Sequence, residues 1–160
     1  MHKARGFSLI ELLIVVEIIL ILAALAIPNL LRSKMSANEA AAVSALRTIN
    51  TAQATYAMTY PNLGYADTLT KLRMPADGTP VSENEAGLLD WVLGCEAQPC
   101  HKAGYDFAIV NSAEPPSFSY DVTAVPSSVG QTGRRGFCTN QVPKLMYDPE
   151  GGTDCNTPLQ

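Results

Sequence analysis

Between residues 7 and 31 the chain is almost wholly apolar, interrupted only by Ser8, Glu11, Glu17, Pro28 and Asn29. At about 1.5 Å of rise per helical residue, such a run reaches across a hydrocarbon core of roughly 30 Å. It predicts a membrane-spanning helix, and the rest of the chain must be arranged around its ends. The residues before it, 1–6, are polar and carry Lys3 and Arg5. They are too few to fold and read as a processing or orientation signal. Positive charge ahead of the first span favours a cytoplasmic N-terminus. Arg32 and Lys34 beyond the span match that count, so charge orients it weakly.

Past Pro28 the apolar density falls but the helical period continues. Val43, Leu46, Ile49, Gln53, Tyr56 and Ala57 recur at three- and four-residue spacing and define one face, with Gln53 its polar exception. Alanines at 37, 40, 41, 42, 45, 52 and 54 add intrinsic helix propensity. Ser36 and Glu39 have the spacing of a capping box, which in mid-helix reads as coincidence. The sequence therefore predicts one helix over 7–60, membrane-like in its first half and amphipathic in its second, ending at the Pro61-Asn62-Leu63-Gly64 turn. Pro28, lacking a donor, is expected to bend or break it.

Residues 61–103 read as a connecting region with short helical pieces at 67–73 and 83–93. Beyond it the period changes to two. Tyr105, Phe107 and Ile109 alternate with Asp106 and Ala108, and Phe118, Tyr120 and Val122 alternate with polar neighbours. Residues 137–139 and 144–147 are weaker strands, and 112–117 and 126–135 read as turns. The expectation is an antiparallel meander of three or four strands covered by the amphipathic half-helix. The fold class is α+β: a long N-terminal helix, transmembrane then amphipathic, packed on a small antiparallel sheet. The domains are a leader 1–6, a transmembrane and assembly helix 7–31, an amphipathic half 32–60 and a head 61–160.

Four cysteines, Cys95, Cys100, Cys138 and Cys155, follow the membrane segment, which suggests an oxidising compartment and disulfides. Three pairings are possible; the separation into two local groups favours Cys95–Cys100 and Cys138–Cys155. A zinc reading of Cys95, Cys100 and His101 lacks a fourth ligand at ordinary spacing. Asp148, Glu150 and Asp154 could hold calcium but match no EF-hand pattern. Arg134 and Arg135 read as a solvated turn, or as partners for acids of a neighbouring molecule.

Net charge is −4, and beyond Pro61 twelve acidic residues face six basic ones. No basic patch points to nucleic acid. The only histidines are His2 and His101, and no Ser/His/Asp set, P-loop or dinucleotide fingerprint is present. The reading is of a non-enzyme with no cofactor.

The segment Arg5-Gly6-Phe7-Ser8-Leu9-Ile10-Glu11-Leu12-Leu13-Ile14-Val15-Val16 is the most specific in the chain. A basic leader ends in glycine, phenylalanine follows, and a glutamate stands four residues on within oil-seeking sequence. This resembles the prepilin motif of type IV pilins and type II secretion pseudopilins, and residues 23–31 resemble the same family's helix. The resemblance implies that a membrane prepilin peptidase cuts between Gly6 and Phe7 and methylates the new Phe7 amine. It further implies a homopolymer filament, an assembly ATPase and an inner-membrane platform. The implied location is the bacterial inner membrane as a single-pass protein, then an extracellular pilus or a periplasmic pseudopilus.

Glu11 is unusual on physical grounds alone. A carboxylate inside a membrane helix costs on the order of 2.5–3.5 kcal/mol and normally has a partner. The freed amine of a neighbouring Phe7 is a cation of suitable reach. That pairing would neutralise both groups and fix the stagger between subunits, which is the assembly role the family pattern implies. The competing reading is a tolerated glutamate near the membrane surface. Two residues depart from the family: Glu17 stands where a small apolar residue is usual, and Leu20 where a glycine is common. Glu17 lies about 600° around the helix from Glu11, on another face. A different class of protein, secreted after an ordinary signal cut at Ala24-Leu25-Ala26, is opposed by the two glutamates and by the length of the apolar run.

Overall fold

The computed structural model describes residues 7–76, 78–110 and 115–159. The leader 1–6, including Gly6, lies outside them, as do 111–114, which overlap the start of the turn expected at 112–117. Contacts divide the chain into two compact units, Met1–Lys34 and Met35–Gln160.

In the first unit every described residue from 7 to 34 is exposed except Ala23, which is half-buried. The helix α1 spans Leu9–Thr59, and its apolar stretch is long and apolar enough to cross a membrane. It does not break at Pro28, which lies inside it. Proline removes a single donor, the one that would have reached the Ala24 carbonyl, and the leucines and alanines around it keep the helix running.

In the second unit α1 buries Ala42, Ala45, Leu46, Ile49, Ala52, Gln53 and Tyr56. Leu46, Ile49, Gln53 and Tyr56 are the face set by the sequence period, while Val43 and Ala57 are only half-buried at its margin. Gln53 is fully buried, and its amide is satisfied like a strand residue. Nε2 donates to the Ala66 carbonyl and Oε1 accepts the Ala66 N–H, both at 2.8 Å. A polar side chain is tolerated there because it makes both bonds.

Six strands form one antiparallel sheet in sequence order: β1 Cys100–Lys102, β2 Tyr105–Val110, β3 Asp121–Pro126, β4 Gly136–Asn140, β5 Met146–Asp148 and β6 Thr157–Pro158. The expectation of three or four strands falls short by the two edges. These are three and two residues long and too brief to show any alternation. β1 joins β2 through Ala103 and Gly104, both at positive φ (51° and 74°), closed by the Lys102–Tyr105 pair. This is the two-residue geometry that matches strand twist. Tyr105, Phe107 and Ile109 point inward on β2, as do Val122 and Ala124 on β3. The row Phe107–Ala124–Phe137 crosses three strands, and its small central residue separates two large rings. The helix is fixed over the sheet by Asn50, which donates to Thr139 Oγ1 at 2.8 Å and accepts from the Tyr120 hydroxyl at 3.0 Å.

Two local expectations are corrected. Only Leu69–Leu72 is helical (α2); residues 83–93 form turns and bridges instead of a second helix. Gly87 takes φ +74°. The amides of Ala86, Leu88 and Leu89 bond the carbonyls of Lys71 and Leu72 at 2.8–2.9 Å, so the backbone is committed to α2 rather than to itself. Phe118 is 76% exposed, not inward. Its neighbour Ser117 is engaged with residues 63–65, donating to Leu63 and accepting from Tyr65 at 2.8 Å, and regular pairing with β2 begins only at Asp121.

Candidate functional site

The first unit carries the segment on which function was expected to rest. Phe7 is 73% exposed, and Ser8 stands just before the first turn of α1. The Ser8 carbonyl accepts the amides of Glu11 (3.1 Å) and Leu12 (3.3 Å). In return, the Ser8 N–H donates to Glu11 Oε2 at 3.2 Å. This is half of a capping box, with the acidic group in the first turn, where the helix dipole favours it. The Ser-x-x-Glu spacing stands in the sequence at 8 and 11 as it does at 36 and 39, where in mid-helix it is coincidence. Among the described residues no cation forms an ion pair with Glu11 or Glu17.

In the second unit Glu39 and Arg135 form a pair that sequence reasoning missed. Glu39 Oε1 accepts the amides of Arg134 (3.0 Å) and Arg135 (3.2 Å), while Oε2 accepts Arg135 Nε (2.9 Å) and Nη2 (2.7 Å). Burial would raise this carboxyl. The two amides and the guanidinium outweigh burial and hold it below the ordinary carboxylate range. Arg135 also lies over the rings of Phe137 (5.4 Å) and Tyr147 (5.3 Å). The signal was present: Glu39 stands three and seven residues before Ala42 and Leu46, on the buried stripe, where an acid demands a partner. Arg135 is therefore neither simply solvated nor left free for a neighbour.

Cys95 is bonded to Cys100 and Cys138 to Cys155, with Cα separations of 5.4 and 6.0 Å, so neither pair is available to zinc. Asp148 organises the loop after β5 through its own oxygens, Oδ1 accepting the Glu150 amide (2.9 Å) and Oδ2 the Asp154 amide (3.2 Å). Among the described residues no three metal-ligating side chains gather. The fold does bring His101, Asp106 and Ser127 together, a meeting that no spacing in the chain predicts. Asp106 Oδ1 (2.9 Å) and Ser127 Oγ (3.0 Å) both address the same ring nitrogen, Nδ1. A nucleophile–base–acid relay needs the two on opposite nitrogens, so this trio is a surface hydrogen-bond cluster.

Comparison with known proteins bears on the first unit most directly. A family described as the prokaryotic N-terminal methylation motif matches residues 1–27. The type IV wide pilus major component PilA4 of Thermus thermophilus is 34% identical over 113 residues, 71% of this chain and 69% of that protein. The type IV major pilin protein PilA of Myxococcus xanthus is 48% identical over 54 residues, 34% of this chain and 24% of that one. No solved structure matches at a significant level. With the methylation motif at its start, the apolar helix behind it and a pilus component aligned along most of its length, the chain belongs to the type IV pilin family.

Proposed function

We propose that the chain is a prepilin: it is cut between Gly6 and Phe7, methylated on the Phe7 amine and polymerised into a type IV pilus. The observation that carries this reading is Glu11, a carboxylate in an exposed apolar helix with no charged partner among the described residues and a matched methylation motif around it. Before assembly, the Ser8 amide supplies partial compensation. In the filament, the Phe7 amine of a neighbour supplies a full positive charge, so association exchanges a weak partner for a strong one. Ala23, Ala24 and Ala26 let helices approach closely, and the head-to-tail contact does not close on itself, which yields a fibre. The partners of this reading are the membrane before assembly, a prepilin peptidase, an assembly ATPase and an inner-membrane platform. Filaments of this kind serve motility, adhesion or DNA uptake.

Both relatives are named as pilus proteins, which favours a pilin over a secretion pseudopilin. The motif match spans the residues that a signal-peptide reading would discard. Mass spectrometry of the mature N-terminus tests the processing, with methylated Phe7 expected. A mature chain beginning at Ile27 would overturn it in favour of secretion. For assembly, Glu11→Val should still insert in the membrane but drop out of sheared fibres; normal incorporation would refute the role of Glu11.

A further inference from the structure

Several charges in the unit Met35–Gln160 are matched internally: Lys71 with Asp67, Arg73 with Glu85, Lys102 with Asp90 and Arg135 with Glu39. Among the described residues, Arg47 and Lys144 form no ion pair, and both line one open groove of about 480 Å³ beside α1 with Asn50, Thr51 and Leu159. On the acidic side, the Glu150 and Asp154 carboxylates are exposed and unpaired. They ride on the loop after β5, whose shape is set by Asp148.

The two features sit at different heights on the helix. The acidic loop packs against the start of β4, where a Cβ on Gly136 would lie 1.9 Å from the Gly152 carbonyl oxygen. That start is held to α1 by Glu39. The groove lies at Arg47 to Thr51, eight to twelve residues further along, or about 12–18 Å at the helical rise. A second copy moved along the helix axis by that interval brings its acidic loop level with the first copy's groove.

We propose that in the filament the Arg47/Lys144 groove of one copy receives the Glu150 and Asp154 carboxylates of a second copy. This rests on the filament reading above. There, a Glu11–Phe7 contact sets a stagger of four residues, about 6 Å, and two or three such steps give the same 12–18 Å. One chain carries both complementary halves, and its net charge of −4 makes a concentrated cationic groove a selective seat for its own acidic loop.

A water-soluble carbodiimide applied to sheared fibres tests the contact. The reagent activates a carboxylate, the Lys144 amine attacks the activated carbonyl, an amide forms and the carbodiimide leaves as its urea. Because Lys144 shares a cavity wall with Thr153 and Cys155 of its own chain, the fibres are grown from mixed light and heavy-nitrogen chains. Mass spectrometry should find Lys144 of one label joined to Glu150 or Asp154 of the other in fibres, and not in detergent-dispersed monomer. Arg47→Glu with Lys144→Glu should lower fibre yield about fivefold, and adding Glu150→Lys with Asp154→Lys should restore it. Fibres whose Lys144 is linked only to other carboxylates, such as Asp121, overturn the contact alone, as does full fibre yield from the unrescued charge reversal. Failure of the unaltered chain to form fibres overturns the filament reading together with it.

Discussion

Replacing Glu39 by glutamine tests the pair that ties α1 to the β3–β4 turn. The substitution keeps the side chain's shape and one acceptor oxygen but removes the charge that faces four donors at 2.7–3.2 Å. Breaking a fully buried pair costs about 3–5 kcal/mol, whereas an exposed one is worth about 0.2–1 kcal/mol. Glu39 is only 9% exposed, but the Arg135 side chain is 41% exposed and can turn to water when released. The expected loss therefore lies between these limits, at about 2 kcal/mol. Urea unfolding of the full chain in detergent, followed by near-ultraviolet circular dichroism of Trp91 and the tyrosines, measures it. Arg135→Met should couple with it, the double variant losing about 1 kcal/mol less than the two singles together. The pH dependence has a definite sign. The folded carboxyl lies below its ordinary 4.5, so the stabilisation is complete above about pH 4.5 and drains away as pH falls through the lower folded value. The gap between wild type and Glu39→Gln should narrow in that acid range. A gap under about 0.5 kcal/mol at neutral pH, or one that stays constant down to pH 3, would refute the assignment.

Gln53→Leu fills the same volume but strands the Ala66 N–H and carbonyl, and should cost about 2–4 kcal/mol in the same unfolding assay. Gly64→Ala should be destabilised by several kcal/mol or fail to fold. Gly64 has φ +74° and a Cβ there would stand 2.1 Å from the Ser117 carbonyl oxygen; wild-type thermal stability would refute that packing. Removing the second disulfide as Cys138→Ser with Cys155→Ser should lower stability by about 2–4 kcal/mol and expose the C-terminal residues to proteolysis. Unchanged protease resistance would show that β6 is held without it.

What was legible in the sequence follows from how regular each element is. The apolar run and the helical period after it needed no partner to be read, because a long helix satisfies its own backbone. Tyr105, Phe107 and Ile109 were equally plain, since a strand with one buried face writes its period into its residues. Less was visible where structure depends on remote chain. β1 and β6 exist because β2 and β5 offer them a ladder, and their few residues carry no pattern. The stretch 83–93 has apolar spacing that suits a helix, but its amides are claimed by α2 and Gly87 turns the chain away. The Glu39–Arg135 pair joins residues far apart in sequence. Only half of it was inferable, as an acid on an otherwise apolar stripe. The Ser8–Glu11 box is a different case: its spacing is in plain view, but a carboxylate set in apolar sequence reads first as a group that needs a partner from another molecule.

The sheet's spatial order is its chain order, β1 through β6. No strand has to be threaded between two that are already paired, so each hairpin can close as soon as its second arm exists, and the closing entropy at every step is that of a short loop. A chain fastened at one end can therefore complete its head progressively, without first gathering distant segments, and passes through few states in which an unfinished edge is left open to a neighbour. Pro158 in the last strand then leaves that edge without an amide donor at its tip, which discourages further lateral growth once the meander is complete.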